Sequence, residues 1–97
     1  MVLVNTKLLD LFARNHASTR RSLAAWQRSV KEAVWGNKQD VLASFPNAKM
    51  LRGNRARFEI QHKKYRLIAE VLYEEGLVVI RFIGTHTEYE KIDPSTI

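Results

Sequence analysis

Four side chains that can move protons or hold an anion lie close together near the end of the chain. They are His86, Glu88, Tyr89 and Lys91, and they follow a predicted strand. Imidazole, carboxylate, phenol and ammonium groups can together accept a proton, donate one and stabilise developing negative charge without a metal ion. The segment therefore predicts an acid–base site, the alternative being an ordinary solvated turn.

Basic residues are concentrated in the middle of the chain. From Lys49 to Arg66 there are seven of them and one acidic residue, Glu59, and the whole chain carries a net charge of +6. Such a surplus on a small surface favours a polyanionic partner, either a nucleic acid or an acidic protein. Lys63 and Lys64 lie in a predicted hairpin turn, where they would contact phosphate or simply face solvent.

Other site chemistries have little support in the sequence. The absence of cysteine excludes disulfides, thiolate nucleophiles and cysteine-ligated zinc. His16, His62 and His86 are far apart and form no HExxH motif, so we expect no metal site. The four glycines form neither a GxGxxG motif nor a P-loop, so we expect no nucleotide cofactor.

Length and composition predict a single domain spanning residues 1–97. The hydrophobic share of 45% and the charged share of 27% are typical of a folded globular chain. No apolar stretch approaches the roughly 18 residues needed to cross a bilayer, and Met1–Val4 does not begin a signal peptide. We therefore expect a cytoplasmic protein with no membrane partner.

Hydrophobic spacing changes from helical to strand-like at Pro46. Before it the pattern predicts a strand at 1–4, helices at 7–15 and 19–35 with Ser18 as N-cap of the second, and a brief helical turn at 39–44. After it the pattern predicts strands at 55–61, 65–73 and 77–83, a last helical turn at 86–91 capped by Thr85, and a loose end at 94–97. The order β-α-α-β-β-β predicts an α+β domain with two helices packed on one face of a small, mainly antiparallel sheet.

The opposite sheet face is predicted to carry the polar side chains of two paired strands. They are Arg55, Arg57, Glu59, Arg66 and Glu70. Arg81 lies within an otherwise apolar inner strand, so it must pair with Glu59 or Glu70 or serve a ligand. The face is therefore either a cationic binding surface or a solvated one.

Three segments of the second half carry a family resemblance. Phe58–Ile60, Lys64–Ala69 and Val79–Lys91 resemble the HigB toxins of bacterial type II toxin–antitoxin modules, in the RelE/ParE superfamily. The stretch from Trp35 to Ala48 is similar to the middle section of that family. The resemblance covers essentially the whole chain and implies a RelE/ParE-like fold.

The resemblance also implies an activity and partners. It implies a metal-independent endoribonuclease, an mRNA interferase without cofactor, that cleaves mRNA on translating ribosomes and so inhibits translation and arrests growth. The ribose 2′-oxygen would attack the adjacent phosphorus, leaving a cyclic or 3′-phosphate and a 5′-hydroxyl. The implied partner is a HigA-type antitoxin with a helix-turn-helix domain. The toxin would contact operator DNA only indirectly, through this antitoxin.

Residue roles follow from the same resemblance. Arg57 and Arg66 would clamp the phosphate, His86 would act as acid or base, and Tyr89 would transfer a second proton or stack on a base. Glu59 and Glu88 would be bases or orienting groups. RNA or ribosome contacts are expected from the other basic residues near the site, which are Arg55, Lys63, Lys64, Arg81 and Lys91.

Two other functions remain open at this point. A ParE-like toxin on the same fold would target gyrase and need no RNA-cleaving centre, which would leave the cluster from His86 to Lys91 without a purpose. A non-catalytic basic module that binds RNA or the ribosome is the second. RNA-recognition sheets stack bases on aromatic side chains, whereas the face predicted here offers arginine and glutamate.

Overall fold

The computed structural model describes residues 1–97 as helices packed on a five-stranded sheet. Its elements are β1 (Val2–Val4), α1 (Lys7–Asn15), α2 (Arg20–Glu32), α3 (Lys38–Ser44), β2 (Lys49–Met50), β3 (Arg55–Ile60), β4 (Tyr65–Leu72), β5 (Leu77–Thr85) and α4 (His86–Glu90). The strand order is β1-β5-β4-β3-β2, with β1 parallel to β5 and every other pair antiparallel. The predicted α+β class with a mainly antiparallel sheet is confirmed. None of the helices is long and apolar enough to span a membrane.

The core lies between the sheet and the helices α1, α2 and α3. Alternate residues of β3 and β4 face it and are buried, as their strand periodicity predicts. Trp26 and Trp35 reach Phe58 of β3 from the helical layer, with ring centroids 5.2 and 6.4 Å away. Truncating such a buried ring to alanine would cost about 3–5 kcal/mol, so these rings fix the helices onto the sheet.

The helical layer differs from the prediction of two helices and one helical turn. The helix expected at 19–35 ends at Glu32, where Ala33 turns to an extended backbone, and Trp35 is thereby free to stack inside the core. A 3-10 turn precedes α2, and Ser18 is not its N-cap, because the Ser18 hydroxyl donates to Gln61 Oε1 at 3.3 Å instead. The turn predicted at 39–44 is a complete third helix, α3, capped by Asn37.

The strands also depart from simple alternation in two places. The two-residue strand β2 was not predicted, because a pair of residues has no periodicity to detect. In β5, Ile68 pairs with Phe82 and Ala69 with Ile80, so that Arg81 is an extra, bulged residue. The strand then continues past Gly84, its predicted end, to Thr85.

The second sheet face is partly covered by α4 and the segment that follows it. Ile68 points to this face, yet it is fully buried. Arg55 Nη2 donates to the Ile97 carbonyl, and a Cβ on Gly53 would lie only 2.8 Å from the Ser95 carbonyl oxygen. The end predicted to be loose, residues 94–97, therefore packs against the sheet.

Candidate functional site

The centre of the second face is a group of three charged side chains, Arg57, Glu59 and Arg66, which we call the loose triad. The register of β3 and β4 sets Glu59 opposite Arg66, and Arg57 lies two residues earlier on the same face of β3. Glu59 Oε1 is 3.6 Å from Arg57 Nε and 3.8 Å from Arg66 Nε. These are ion pairs longer than good hydrogen bonds, and the triad has a formal charge of +1.

Tyr89 of α4 lies over both arginines of the loose triad. Its ring centroid is 4.8 Å from Arg66 Cζ and 5.7 Å from Arg57 Cζ, which is within cation–π distance. Gly84 leaves room for the Phe82 ring and the Glu88 carboxylate, because a Cβ there would lie 2.7 Å from Phe82 Cζ and 2.9 Å from Glu88 Oε1. Phe82 in turn lies 6.4 Å from the Tyr89 ring, centroid to centroid. The Tyr89 ring thus lies against two guanidinium groups.

The loose triad leaves much of its hydrogen-bonding capacity unused. Arg57 Nε, Arg66 Nε and Glu59 Oε2 are inaccessible atoms without a hydrogen-bond partner in the protein. Buried polar atoms are normally paired, and each one left unpaired costs about 1–3 kcal/mol. The triad is therefore not arranged for maximal stability, and its two guanidinium groups are suited to receive an oxyanion.

Helix α4 is held in place by a capping box at its start. Thr85, the predicted cap, accepts from the Glu88 backbone N–H at 3.2 Å, and Glu88 Oε1 accepts from the Thr85 N–H at 2.8 Å. The hydrogen bond from the Thr85 backbone is the main cause that lowers the pKa of Glu88. Glu88 thus positions the helix that carries Tyr89.

The other predicted residues of this segment lie at the rim of the site. His86 occupies the first turn of α4 and is exposed, and Lys91 is exposed just after the helix. Neither forms a hydrogen bond or an ion pair with the loose triad. The structure brings together Arg57, Glu59, Arg66 and Tyr89.

Arg55 and Arg81 belong to a different group, which we call the tight triad, centred on Glu70. Glu70 Oε2 is 3.2 Å from Arg55 Nη1, while Oε1 accepts hydrogen bonds from Arg81 Nε at 3.2 Å and Nη2 at 2.5 Å. Of the two pairing partners open to Arg81 in the sequence, the structure selects Glu70. Arg66 and Glu70 are four residues apart in β4, about 13 Å along the strand, whereas Arg55 and Arg57 are two residues apart in β3, about 7 Å.

The two lysines of the β3–β4 turn point in different directions. Lys64 Nζ lies 5.6 Å from the ring centroid of Tyr65, a residue of the core face. Lys63 instead lines a cleft that also includes Glu59. Of the two, only Lys63 lines the cleft beside the loose triad, and the contact of either lysine with RNA stays a prediction.

Sequence reasoning missed one basic residue of the site. Lys49 of β2 pairs with Arg57 and is exposed, so its side chain lies beside the loose triad on the same face. The only sequence signal is its place in the basic stretch that ends at Arg66. Its position depends on a strand too short to predict.

The chain matches a known protein family. A family model named HigB_toxin, described as the RelE-like toxic component of a toxin-antitoxin system, matches residues 19–92. That range includes every predicted site residue, both triads and α4. No curated protein matches the chain.

Proposed function

Since the chain belongs to the HigB family of RelE-like toxins of toxin–antitoxin systems, we propose that it is a metal-independent endoribonuclease. Its substrate is mRNA on translating ribosomes, and the resulting loss of translation arrests growth in the cytoplasm. The observation that carries this proposal is the loose triad beneath Tyr89, where two partly exposed guanidinium groups share one carboxylate at 3.6 and 3.8 Å without a hydrogen bond to it.

Arg57 and Arg66 would bind the scissile phosphate. When the 2′-oxygen attacks, the phosphorus passes through a five-coordinate state with more negative charge than the ground state. Donors fixed beside that charge stabilise the transition state more than the substrate, and losing one such donor typically lowers the rate about 10²–10³-fold. The +1 charge of the loose triad would thus stabilise the transition state once a phosphate lies between the arginines.

The two proton transfers are assigned to residues in contact with these arginines. Glu59 lies between the two arginines and lines the neighbouring cleft, and we assign its carboxylate as the base that takes the proton of the 2′-hydroxyl. Tyr89 lies over both arginines and is assigned to protonate the departing 5′-oxygen. His86, on the exposed first turn of the same helix, is the second candidate for that proton.

The partner of the toxin is proposed to be a HigA-type antitoxin with a helix-turn-helix domain. Membership in a toxin–antitoxin family supports an antitoxin partner. The net charge of +6 supports binding to RNA and to the ribosome, with contacts from the exposed Lys49 and Lys91 around the triad.

The test is to map mRNA ends by primer extension after the toxin is induced in cells. The wild-type chain is compared with the variants Arg66→Ala and Tyr89→Phe, each expressed at the same level. Arg21→Ala is the control, because Arg21 is exposed on α2, in the helical layer that covers the other face of the sheet. We expect cuts within translated frames for wild type and control and their loss in Arg66→Ala. Growth arrest with intact messages would contradict the proposal and favour a gyrase poison, and no arrest at all would favour a non-catalytic binding module.

A further inference from the structure

A cleft of about 380 Å³ opens beside the loose triad at the edge of β3. Strand β2 pairs only with Ala56 and Arg57, so the edge of β3 beyond Arg57 has no neighbouring strand. The loop at 45–48 and the β3–β4 turn form the two walls of the cleft. Its size falls in the range of about 300–1,000 Å³ that is usual for small-ligand pockets.

Glu59 connects this cleft to the loose triad. It lines the cleft, and its Oε1 lies within 3.6 and 3.8 Å of the two arginine Nε atoms. A group bound in the cleft would therefore lie next to an anion bound by Arg57 and Arg66. For a polynucleotide, that neighbour is the nucleotide beside the phosphate.

The cleft combines an aromatic surface with unpaired polar groups. Phe45 is half-buried at the edge of the core, with the ring centroids of Phe58, Trp35 and Trp26 lying 5.1, 6.0 and 6.4 Å from its own. The side chains of Asn47, His62 and Lys63 are exposed around it and form no hydrogen bonds within the chain. A flat ring that accepts stacking, an amide that both donates and accepts, and a cation for phosphate are the groups that recognise an unstacked nucleotide.

The β3–β4 turn holds two of these groups at the cleft in an unfavourable backbone conformation. Gln61, His62 and Lys63 have φ values of 53°, 54° and 72°, a left-handed region that glycine or asparagine occupies far more readily. The Ser18 hydroxyl anchors the turn through Gln61 Oε1 at 3.3 Å. Backbone strain of this kind clusters at functional sites, and here it places His62 and Lys63 opposite Phe45.

We propose that the cleft binds the nucleotide adjacent to the scissile phosphate and sets the base preference of cleavage. The base lies against Phe45, its edge contacts Asn47 and His62, and its phosphate contacts Lys63. The inference rests on the proposed RNA cleavage and adds a specificity site to it. Asn47 and His62 are specificity-determining residues, while the reaction itself remains with the loose triad and Tyr89.

The experiment maps 5′-hydroxyl ends by sequencing after a pool of mRNAs is translated in a reconstituted system with purified toxin. The test variant is Asn47→Ala/His62→Gly, in which glycine suits the left-handed turn and so preserves the fold. The control is Asn15→Ala/Lys38→Ala, two exposed residues outside the cleft. Phe45→Leu, which keeps apolar packing but loses the ring, is the second variant.

We expect wild type and control to prefer one base at one position flanking the cut. In the test variant that preference should fall roughly tenfold, the loss expected for one good base-edge contact, while cuts still occur. An unchanged base preference in Asn47→Ala/His62→Gly and in Phe45→Leu would overturn the subsite alone. Intact messages with the wild-type toxin would overturn RNA cleavage itself, and the subsite with it.

Discussion

Neutralising one glutamate in each triad separates catalysis from stability. Both triads consist of two arginines around one glutamate on the same sheet face, but Glu70 forms hydrogen bonds to Arg81 and Glu59 forms none. Glu59→Gln and Glu70→Gln are therefore matched substitutions in matched surroundings. We expect Glu70→Gln to lower stability more than Glu59→Gln does, and Glu59→Gln to lower RNA cleavage more than Glu70→Gln does.

The magnitudes follow from the contacts. Hydrogen bonds to charged groups contribute about 1.5–3 kcal/mol each. A glutamine in place of Glu70 would retain one acceptor oxygen beside a partly exposed Arg81, so Glu70→Gln should lower the free energy of unfolding by about 2 kcal/mol. Glu59→Gln removes ion pairs of 3.6 and 3.8 Å but no hydrogen bond, so it should lower the free energy of unfolding less than Glu70→Gln does. If Glu59 is the base, its loss should lower the cleavage rate about 10²–10⁴-fold.

The assay pairs urea unfolding with mapped cleavage rates in reconstituted translation. Trp26 and Trp35 are buried in the core and report unfolding by fluorescence. Glu59→Gln should unfold closer to wild type than Glu70→Gln does and fail to cleave, whereas Glu70→Gln should be destabilised and still cleave. Wild-type cleavage by Glu59→Gln, or a stable but inactive Glu70→Gln, would refute the division of roles between the triads.

Three further outcomes are expected from the same geometry. Gly84→Ala places a Cβ against Phe82, so it should lower the free energy of unfolding by about 1–3 kcal/mol and should also lower the cleavage rate. Normal cleavage by this variant would contradict the packing of α4. Lys49→Ala should reduce the slope of log RNA affinity against log salt by about 1 with little change in unfolding, and an unchanged slope would remove Lys49 from the site. The pKa of Glu88 in the folded protein is lowered from 4.5, so its capping contribution to stability should be fully present above that value and should be lost as the pH falls through the lower folded pKa. Thermal unfolding of Glu88→Gln should therefore lack this acid-dependent loss of stability. Identical pH profiles for the wild type and Glu88→Gln would contradict the prediction.

The periodicity of the sequence was sufficient for the fold class and for most of the sheet. The strand prediction at 65–73 differs from β4 by one residue, because alternation persists along that strand. Periodicity did not predict the end of α2, because the burial of Trp35 in the core stabilises the fold more than further helical hydrogen bonds would. Local pattern also gave no sign that residues 94–97 pack against the sheet.

The candidate site was predicted in its residue types and only partly in its grouping. Arg57, Glu59 and Arg66 follow from strand alternation and hairpin pairing, both of which are local rules. The sequence left both Glu59 and Glu70 open as partners of Arg81, and the structure pairs it with Glu70 at a bulge in β5 that no residue type announces. The position of Tyr89 depends on how α4 folds back over the sheet, which is set by contacts between distant residues.

The contrast between the triads explains why one face can hold both a structural and a reactive arginine pair. In the tight triad Glu70 accepts hydrogen bonds from Arg81 and pairs with Arg55, and Arg55 Nε is the one buried atom without a partner. In the loose triad one carboxylate is shared at longer range, and both arginine Nε atoms remain unpaired. An anion that entered the tight triad would have to displace existing hydrogen bonds, whereas in the loose triad it would form new ones. Phosphate binding should therefore select Arg57 and Arg66 even though all four arginines carry the same charge.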